Sequence, residues 1–118
     1  KGILIYSDNS KYEGELSNGI ASGKGSRKWN DGETYQGDWE NGVPHGSGVY
    51  KYKDGTTYTG EFKNFLWHGN GTAEYPDSSK YIGEFQNGLW HGKGEFQSPD
   101  GSSQKGDYQN GIFQPDDT

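Results

Sequence analysis

Three histidines, His45, His68 and His91, recur at a constant interval of 23 residues, each followed by glycine. Imidazoles in series raise the question of a metal site. Carboxylates recur on the same interval at Glu15, Asp38, Glu61, Glu84 and Asp107, the residue type used for acid–base catalysis. Gly46-Ser47-Gly48 has the glycine spacing of a phosphate-binding turn, and Lys24, Arg27 and Lys28 make a short basic strip. The chain has no cysteine, so thiolate nucleophiles, thiolate metal sites and disulfides are all excluded. The interval itself argues against most of this chemistry. If each copy supplies two strands, equivalent side chains lie ~9.6 Å apart. Zinc holds its nitrogens at about 2.0–2.1 Å, and carboxylates at the larger separation cannot share a proton as a dyad. The Gly-x-Gly belongs to the repeat and does not open a helix, as a phosphate loop must. The histidines are therefore expected to be structural turn residues, the acids to lie solvated on a sheet face, and the chain to carry no catalytic, cofactor or metal site.

The elements that position these residues follow from the same interval. Steps of 23 connect Tyr12, Tyr35, Tyr58 and Tyr81; Gly14, Gly37, Gly60, Gly83 and Gly106; and Leu16, Trp39, Phe62, Phe85 and Tyr108. They also connect a second glycine column, Gly2, Gly25, Gly48, Gly71 and Gly94, with no gap anywhere. A fixed period of this length marks a repeat array. The chain reads as one array over 1–118, with full copies at 12–34, 35–57, 58–80 and 81–103, a partial copy at 1–11 and a degenerate cap at 104–118. Lys1-Gly2 matches Lys24-Gly25, so the chain is expected to begin inside a repeat of a longer protein.

Within a copy, Tyr58, Gly60 and Phe62 alternate with Thr59 and Glu61, which puts rings and glycine on one face of a strand and the acid on the other. A second strand is expected from Gly46 to Lys53. Asn18-Gly19, Asn41-Gly42, Asn87-Gly88 and Asn110-Gly111 are hairpin dipeptides, while Asp31-Gly32, Asp54-Gly55 and Asp100-Gly101 mark the return turns. Phe65 and Ser78 replace turn glycines, and a bulky Phe disfavours the positive φ of a primed turn. Glycine inside a strand costs ~0.5–1 kcal/mol, so its repetition predicts a ring lying over bare backbone. The expected fold is all-β: an elongated, single-layer antiparallel sheet of tandem 23-residue hairpins, with twist and curvature sheltering the aromatic face. Pro115 and the acidic Asp116-Asp117 are expected to blunt the far edge.

Leu, Ile, Val and Phe make up only 16 of 118 residues and the net charge is −6, a balance usual in disordered chains. Aromatics at 15%, held in register with glycine, supply the missing apolar surface. A pI near 4.9 opposes nucleic-acid binding, which needs a positive surface. No apolar run approaches the ~20 residues of a membrane span.

Tyr-x-Gly-x-aromatic, then Asn-Gly, His-Gly-x-Gly and Asp-Gly, together resemble the MORN repeat (membrane occupation and recognition nexus). The agreement is fullest in Gly37–Gly48, Gly60–Gly71 and Gly83–Gly94; the first copy has Ser22 in place of histidine and the last has Gln114-Pro115 in place of His-Gly. The resemblance implies a binding role with protein partners in cytoskeletal, ciliary or membrane-junction assemblies, in some members phosphoinositide contact, and arrays that accompany lipid kinase or lysine methyltransferase domains. A cytoplasmic, non-catalytic protein-interaction scaffold is the expected function. The alternatives are a peripheral membrane or phosphoinositide-binding module and an accessory domain of an enzyme.

Two surfaces are candidates for the partner, expected to be an extended or helical protein segment. One is an aromatic groove of Tyr12, Tyr35, Trp39, Tyr50, Tyr58, Phe62, Tyr81 and Phe85. The other is a ridge of loop residues after the Asn-Gly turns, Ile20, Val43, Pro44, Leu66, Trp67, Leu89, Trp90, Ile112 and Phe113, which either fold back over the core or stand exposed as tryptophan anchors. Free edge strands leave an end-to-end homodimer open as well.

Overall fold

A computed structural model describes residues 2–115; the expectations for Lys1, Asp116 and Asp117 lie outside them. The described residues form strands joined by tight turns. They are β1 (Gly2–Ile5), β2 (Lys11–Ser17), β3 (Ile20–Lys28), β4 (Thr34–Glu40), β5 (Val43–Lys51), β6 (Thr57–Lys63), β7 (Leu66–Glu74), β8 (Lys80–Gln86), β9 (Leu89–Gln97), β10 (Ser103–Gln109) and β11 (Ile112–Gln114). They pair in sequence order as one open antiparallel sheet with extents of 55 × 25 × 18 Å. This is the elongated single-layer array expected from the repeat.

The second strand of each copy starts earlier than expected, at Val43 instead of Gly46 in the case of β5. The Asn-Gly turn occupies just two residues, both at positive φ (53° and 85° at Asn41 and Gly42). This primed turn matches the twist of the flanking strands, so the chain re-enters the sheet at once. The residues placed in a loop ridge are therefore strand residues.

The register sets glycine against glycine from Gly2–Gly14 on β1–β2 through to Gly94–Gly106 on β9–β10. Into this bare trough each tyrosine lays its ring. A Cβ on Gly71 would sit 2.6 Å from Cζ of Tyr58, so alanine does not fit. The tyrosine hydroxyls of Tyr12, Tyr35, Tyr58 and Tyr81 donate to the carbonyls of Glu15, Asp38, Glu61 and Glu84 at 2.6, 2.8, 2.8 and 3.2 Å. Burial raises their pKa values, to about 12 for Tyr81, which keeps them neutral donors.

The remaining large rings join the copies. Trp39 meets Tyr12 and Tyr35 at centroid distances of 5.0 and 5.2 Å; Phe62 meets Tyr35 and Tyr58, both at 5.0 Å. Phe85 meets Tyr58 and Tyr81, both at 5.1 Å, and Tyr108 meets Tyr81 at 5.2 Å. Every contact is edge-on, a geometry that contributes about 0.5–1.5 kcal/mol beyond area burial. One ring of each copy thus wedges between its own tyrosine and that of the preceding copy.

Gly71→Ala should lower the melting temperature by roughly 4–15 °C, because overpacking a close-fitted site costs about 1–3 kcal/mol and the ring has nowhere to go. At Gly101 a Cβ meets nothing within 4 Å and φ is +93°, so Gly101→Asn, the substitution the left-handed region tolerates best, should lower it by less than about 3 °C. Thermal melts followed by circular dichroism that show equal losses would remove the ring-on-backbone argument.

Candidate functional site

Alternation along the strands divides the sheet into an inner face with the tyrosines and an outer face with the acids. On the inner face, eight of the proposed groove residues, Tyr12, Tyr35, Trp39, Tyr50, Tyr58, Phe62, Tyr81 and Phe85, are each 0–4% exposed. They are the packed core and do not form an open groove, which corrects that expectation. Twist alone does not shelter them. A second tier of half-buried rings does, and this tier is the inner face that solvent meets.

Trp67 stacks on Tyr58 at 4.5 Å and 7°, and Trp90 stacks on Tyr81 at 4.6 Å and 4°. Their indole N–H groups donate to the hydroxyls of Tyr52 and Tyr75 at 2.7 and 3.0 Å. Burial pushes the Tyr52 hydroxyl up to about 12. The two tryptophans therefore fold back over the core with their polar atoms satisfied and only part of each ring left to solvent. Their sequence neighbours go the other way. Leu66 and Leu89 pair with Lys63 and Gln86 on the outer face, where both are exposed together with Ile20 and Ile112. The candidate ridge is thus split by the pleat, with Pro44, Trp67, Trp90 and Phe113 inside and Ile20, Val43, Leu66, Leu89 and Ile112 outside.

Phe65 takes φ +73° despite its bulk. Its ring lies 5.9 Å from Tyr50 and 6.0 Å from Trp29, stacked on the latter at 15°. Copy 35–57 has Pro44 where the next two copies have tryptophan, and Phe65 extends the inner tier above that copy. Packing thus offsets a backbone conformation that costs about 1–2 kcal/mol.

The chemistry-bearing residues are engaged in the backbone. Between Gly60 and Phe62 the register shifts, because β7 carries two more residues than β6 across that step. Glu61 accepts the N–H of Asn70 inside this bulge at 2.7 Å, and Asp38 accepts that of Ser47 at 3.0 Å. Gly69 and Gly46 hold positive φ there, 74° and 106°. The acid column was expected to be merely solvated; it fastens the bulge. The Lys24 ammonium and then the Ser47 N–H hold the Asp38 carboxyl below the usual range.

The histidines stand on strands, not in turns. Nδ1 of His45 accepts the N–H of Asn64 at 3.1 Å and Nδ1 of His91 that of Asn110 at 3.4 Å, so each ties down the turn of the next hairpin. Nδ1 of His68 is buried with no partner. In the same turns the N–H groups of Gly42, Phe65, Gly88 and Gly111 donate to the carbonyls of Ala21, Pro44, Trp67 and Trp90. Among the described residues no cluster of histidine and carboxylate side chains is arranged around a metal position.

Lys24, Arg27 and Lys28 do not form one strip. Lys24 pairs with Asp38. Arg27 lies on the inner face, its guanidinium 3.7 Å from the Tyr6 ring centroid and 2.8 Å from the Ser10 hydroxyl. Lys24 and Lys28 both face outward, and of the two only Lys28 stands opposite another lysine, Lys11. Sequence reasoning missed the acid-to-bulge bonds and the second aromatic tier. The recurrent Glu-to-Gly spacing could have signalled the former, and the column Tyr6, Trp29, Tyr52, Tyr75 the latter.

At the return turns Asp8, Asp54, Asp77 and Asp100 accept the N–H two residues on at 2.8–2.9 Å. The Ser10 and Ser79 hydroxyls are the main cause that lowers the pKa of Asp8 and Asp77, and the Thr56 and Ser102 N–H groups do so for Asp54 and Asp100. A carboxyl whose folded pKa lies below its unfolded value of about 3.9 stabilises the fold above that pH and loses this contribution as pH falls through the folded pKa. The melting temperature should therefore hold from about pH 7 to 5 and fall below about pH 4. Asp54→Asn/Asp77→Asn should show a shallower acid fall, because the amide keeps the turn but does not titrate; parallel acid profiles would refute the assignment.

The family profile described as MORN repeat matches residues 12–34, 35–57, 58–80 and 81–103. No curated protein matches the chain. Among the described residues no helix is long and apolar enough to cross a membrane.

Proposed function

Since this chain belongs to the MORN-repeat family, whose repeats are non-catalytic modules of protein or membrane interaction, we propose that it is a scaffold binding a partner protein segment along its inner face. The observation that supports this is the second aromatic tier. Trp29, Tyr52 and Tyr75, and with them Trp67 and Trp90, recur at the repeat interval and are left partly accessible, and Phe65 stands exposed beside them. Tryptophan and tyrosine with satisfied polar atoms and open ring edges are typical anchors for a partner, since they bury much area at small entropic cost. Asp38, Glu61, His45 and His91, which catalysis could have used, are hydrogen-bonded to the backbone of bulges and turns. Cytoskeletal, ciliary or membrane-junction settings and an adjoining enzyme domain belong to this reading as contexts in which such a scaffold serves.

Purified array should capture a protein partner from lysate, while vesicles containing phosphoinositide should float without it at physiological salt. The variant Phe65→Asn/Trp67→Leu/Trp90→Leu leaves a turn-compatible residue and two apolar ones, so it should remain folded at assay temperature by circular dichroism. Capture should fall at least about ten-fold, the loss of one hot-spot contact. Undiminished capture by the folded variant would discard the inner face, and salt-sensitive flotation without a captured protein would make this a membrane module.

A further inference from the structure

The pairing register lines up one row of side chains across the outer face near the return turns. It runs Ile5, Lys11, Lys28, Thr34, Lys51, Thr57, Glu74, Lys80, Gln97 and Ser103, each the cross-strand partner of the next. In its second half the charges match, with Glu74 opposite Lys80. In its first half they do not. Lys11 stands directly opposite Lys28, and Lys51 lies two strands farther, beyond the neutral Thr34. Like charges directly opposed on antiparallel strands destabilise a sheet, and none of these three lysines makes an ion pair among the described residues. All three are exposed. In a chain of net charge −6, an acid at position 11 or 28 would remove the repulsion.

The same three lysines line the wall of a cavity of about 610 Å³, with Asn9, Ser26, Gln36 and Asn30 as uncharged hydrogen-bonding groups and Glu13 as its one acid. We propose that this lysine row is a second binding surface, distinct from the inner face, which takes an acidic segment of a partner protein laid across β2 to β5. Charge complementarity favours a narrow segment over an anionic membrane. Beside the row, on the same face, stand Glu13, Glu15 and Asp38; a flat anionic surface would have to cover all three, whereas a single chain laid along the lysines passes only Glu13 closely.

The probe is a fluorescein-labelled polyglutamate of about ten residues, with polyglutamine of the same length as the control and phosphatidylserine vesicles as a separate arm. Anisotropy should report binding to polyglutamate that weakens as salt rises from about 50 to about 300 mM, with none to polyglutamine. Lys28→Glu should weaken it at least about ten-fold and at the same time raise the melting temperature by about 1–3 °C, because it turns the repulsive Lys11 pair into an attractive one. Lys80→Glu, which sets two acids opposite one another, should do the reverse: it should lower the melting temperature and leave peptide binding intact. Lys28→Thr should repeat both effects of Lys28→Glu at smaller amplitude. Equal peptide affinity in wild type and Lys28→Glu, a fall in melting temperature on that substitution, or binding to vesicles without binding to polyglutamate would each overturn the proposal. None of these outcomes bears on the tryptophans of the inner face, so the two surfaces stand or fall separately.

Discussion

A phenol ring lying on backbone that has no Cβ is the contact on which the rest of this sheet depends. A single-layer sheet has no opposing layer to bury its apolar face, so the face must be filled by side chains of the sheet itself. Glycine pairs such as Gly60–Gly71 open a trough deep enough for Tyr58 to lie down in it, and a ring lying flat covers the neighbouring backbone as a second layer would. Once the tyrosine lies flat, its edges are presented along the array, and the aromatic of the next copy fits edge-on between two of them. Cohesion therefore runs from copy to copy along one line of rings, the nearest-neighbour coupling expected of a repeat protein.

The bulge follows from the same contact. Beyond the trough the longer strand must turn inward to bring Trp67 or Trp90 over the tyrosine, and the two additional residues in β7 accomplish the bend. Bending frees backbone N–H groups that neither strand can take, at exposed positions where water is the alternative partner. The carboxylate column takes them at Ser47 and Asn70 and histidine does the same for the turn at Asn64 and Asn110, so these bonds fix the geometry of the bend and do not rescue buried donors. Residues that look like catalytic equipment in the sequence are thus the fasteners of a bent hairpin. His68 breaks the series, since its Nδ1 is buried and has no hydrogen-bond partner.

Much of this was legible in the sequence, and the reason is periodicity. Columns 23 residues apart identified the strands, both turn types, the inner and outer faces of β6 and the ring-over-glycine contact before any coordinates, because each needs only alternation and turn chemistry. What remained hidden is where the second strand of each copy begins. The turn at Asn64-Phe65 takes only two residues, so Leu66 and Trp67 already lie in β7 and the pleat sends them to opposite faces; the two-residue bulge beyond them keeps the alternation and so leaves no mark on the spacing. Burial was misjudged for a related reason. Tyr58 and Trp67 are both large aromatic residues at fixed intervals, but only the fold-back of the second over the first determines that one is core and the other surface.

The two faces of the sheet consequently have different freedom to vary. Inside, every position answers to a ring or a glycine, and even the partly exposed Trp67 is fixed by its stack and its hydrogen bond to Tyr52. Outside, the acid column is fixed by the bulge, but Lys11, Lys28 and Lys51 are exposed and make no ion pair among the described residues. Charges so placed are expected to face an opposite charge, as Glu74 and Lys80 do across β7 and β8. That Lys11 and Lys28 do not, in a chain richer in acids than bases, is a departure from the local rule that packing does not explain. Departures of that kind concentrate where a protein meets something else, and here the missing counter-charge has to come from outside the chain.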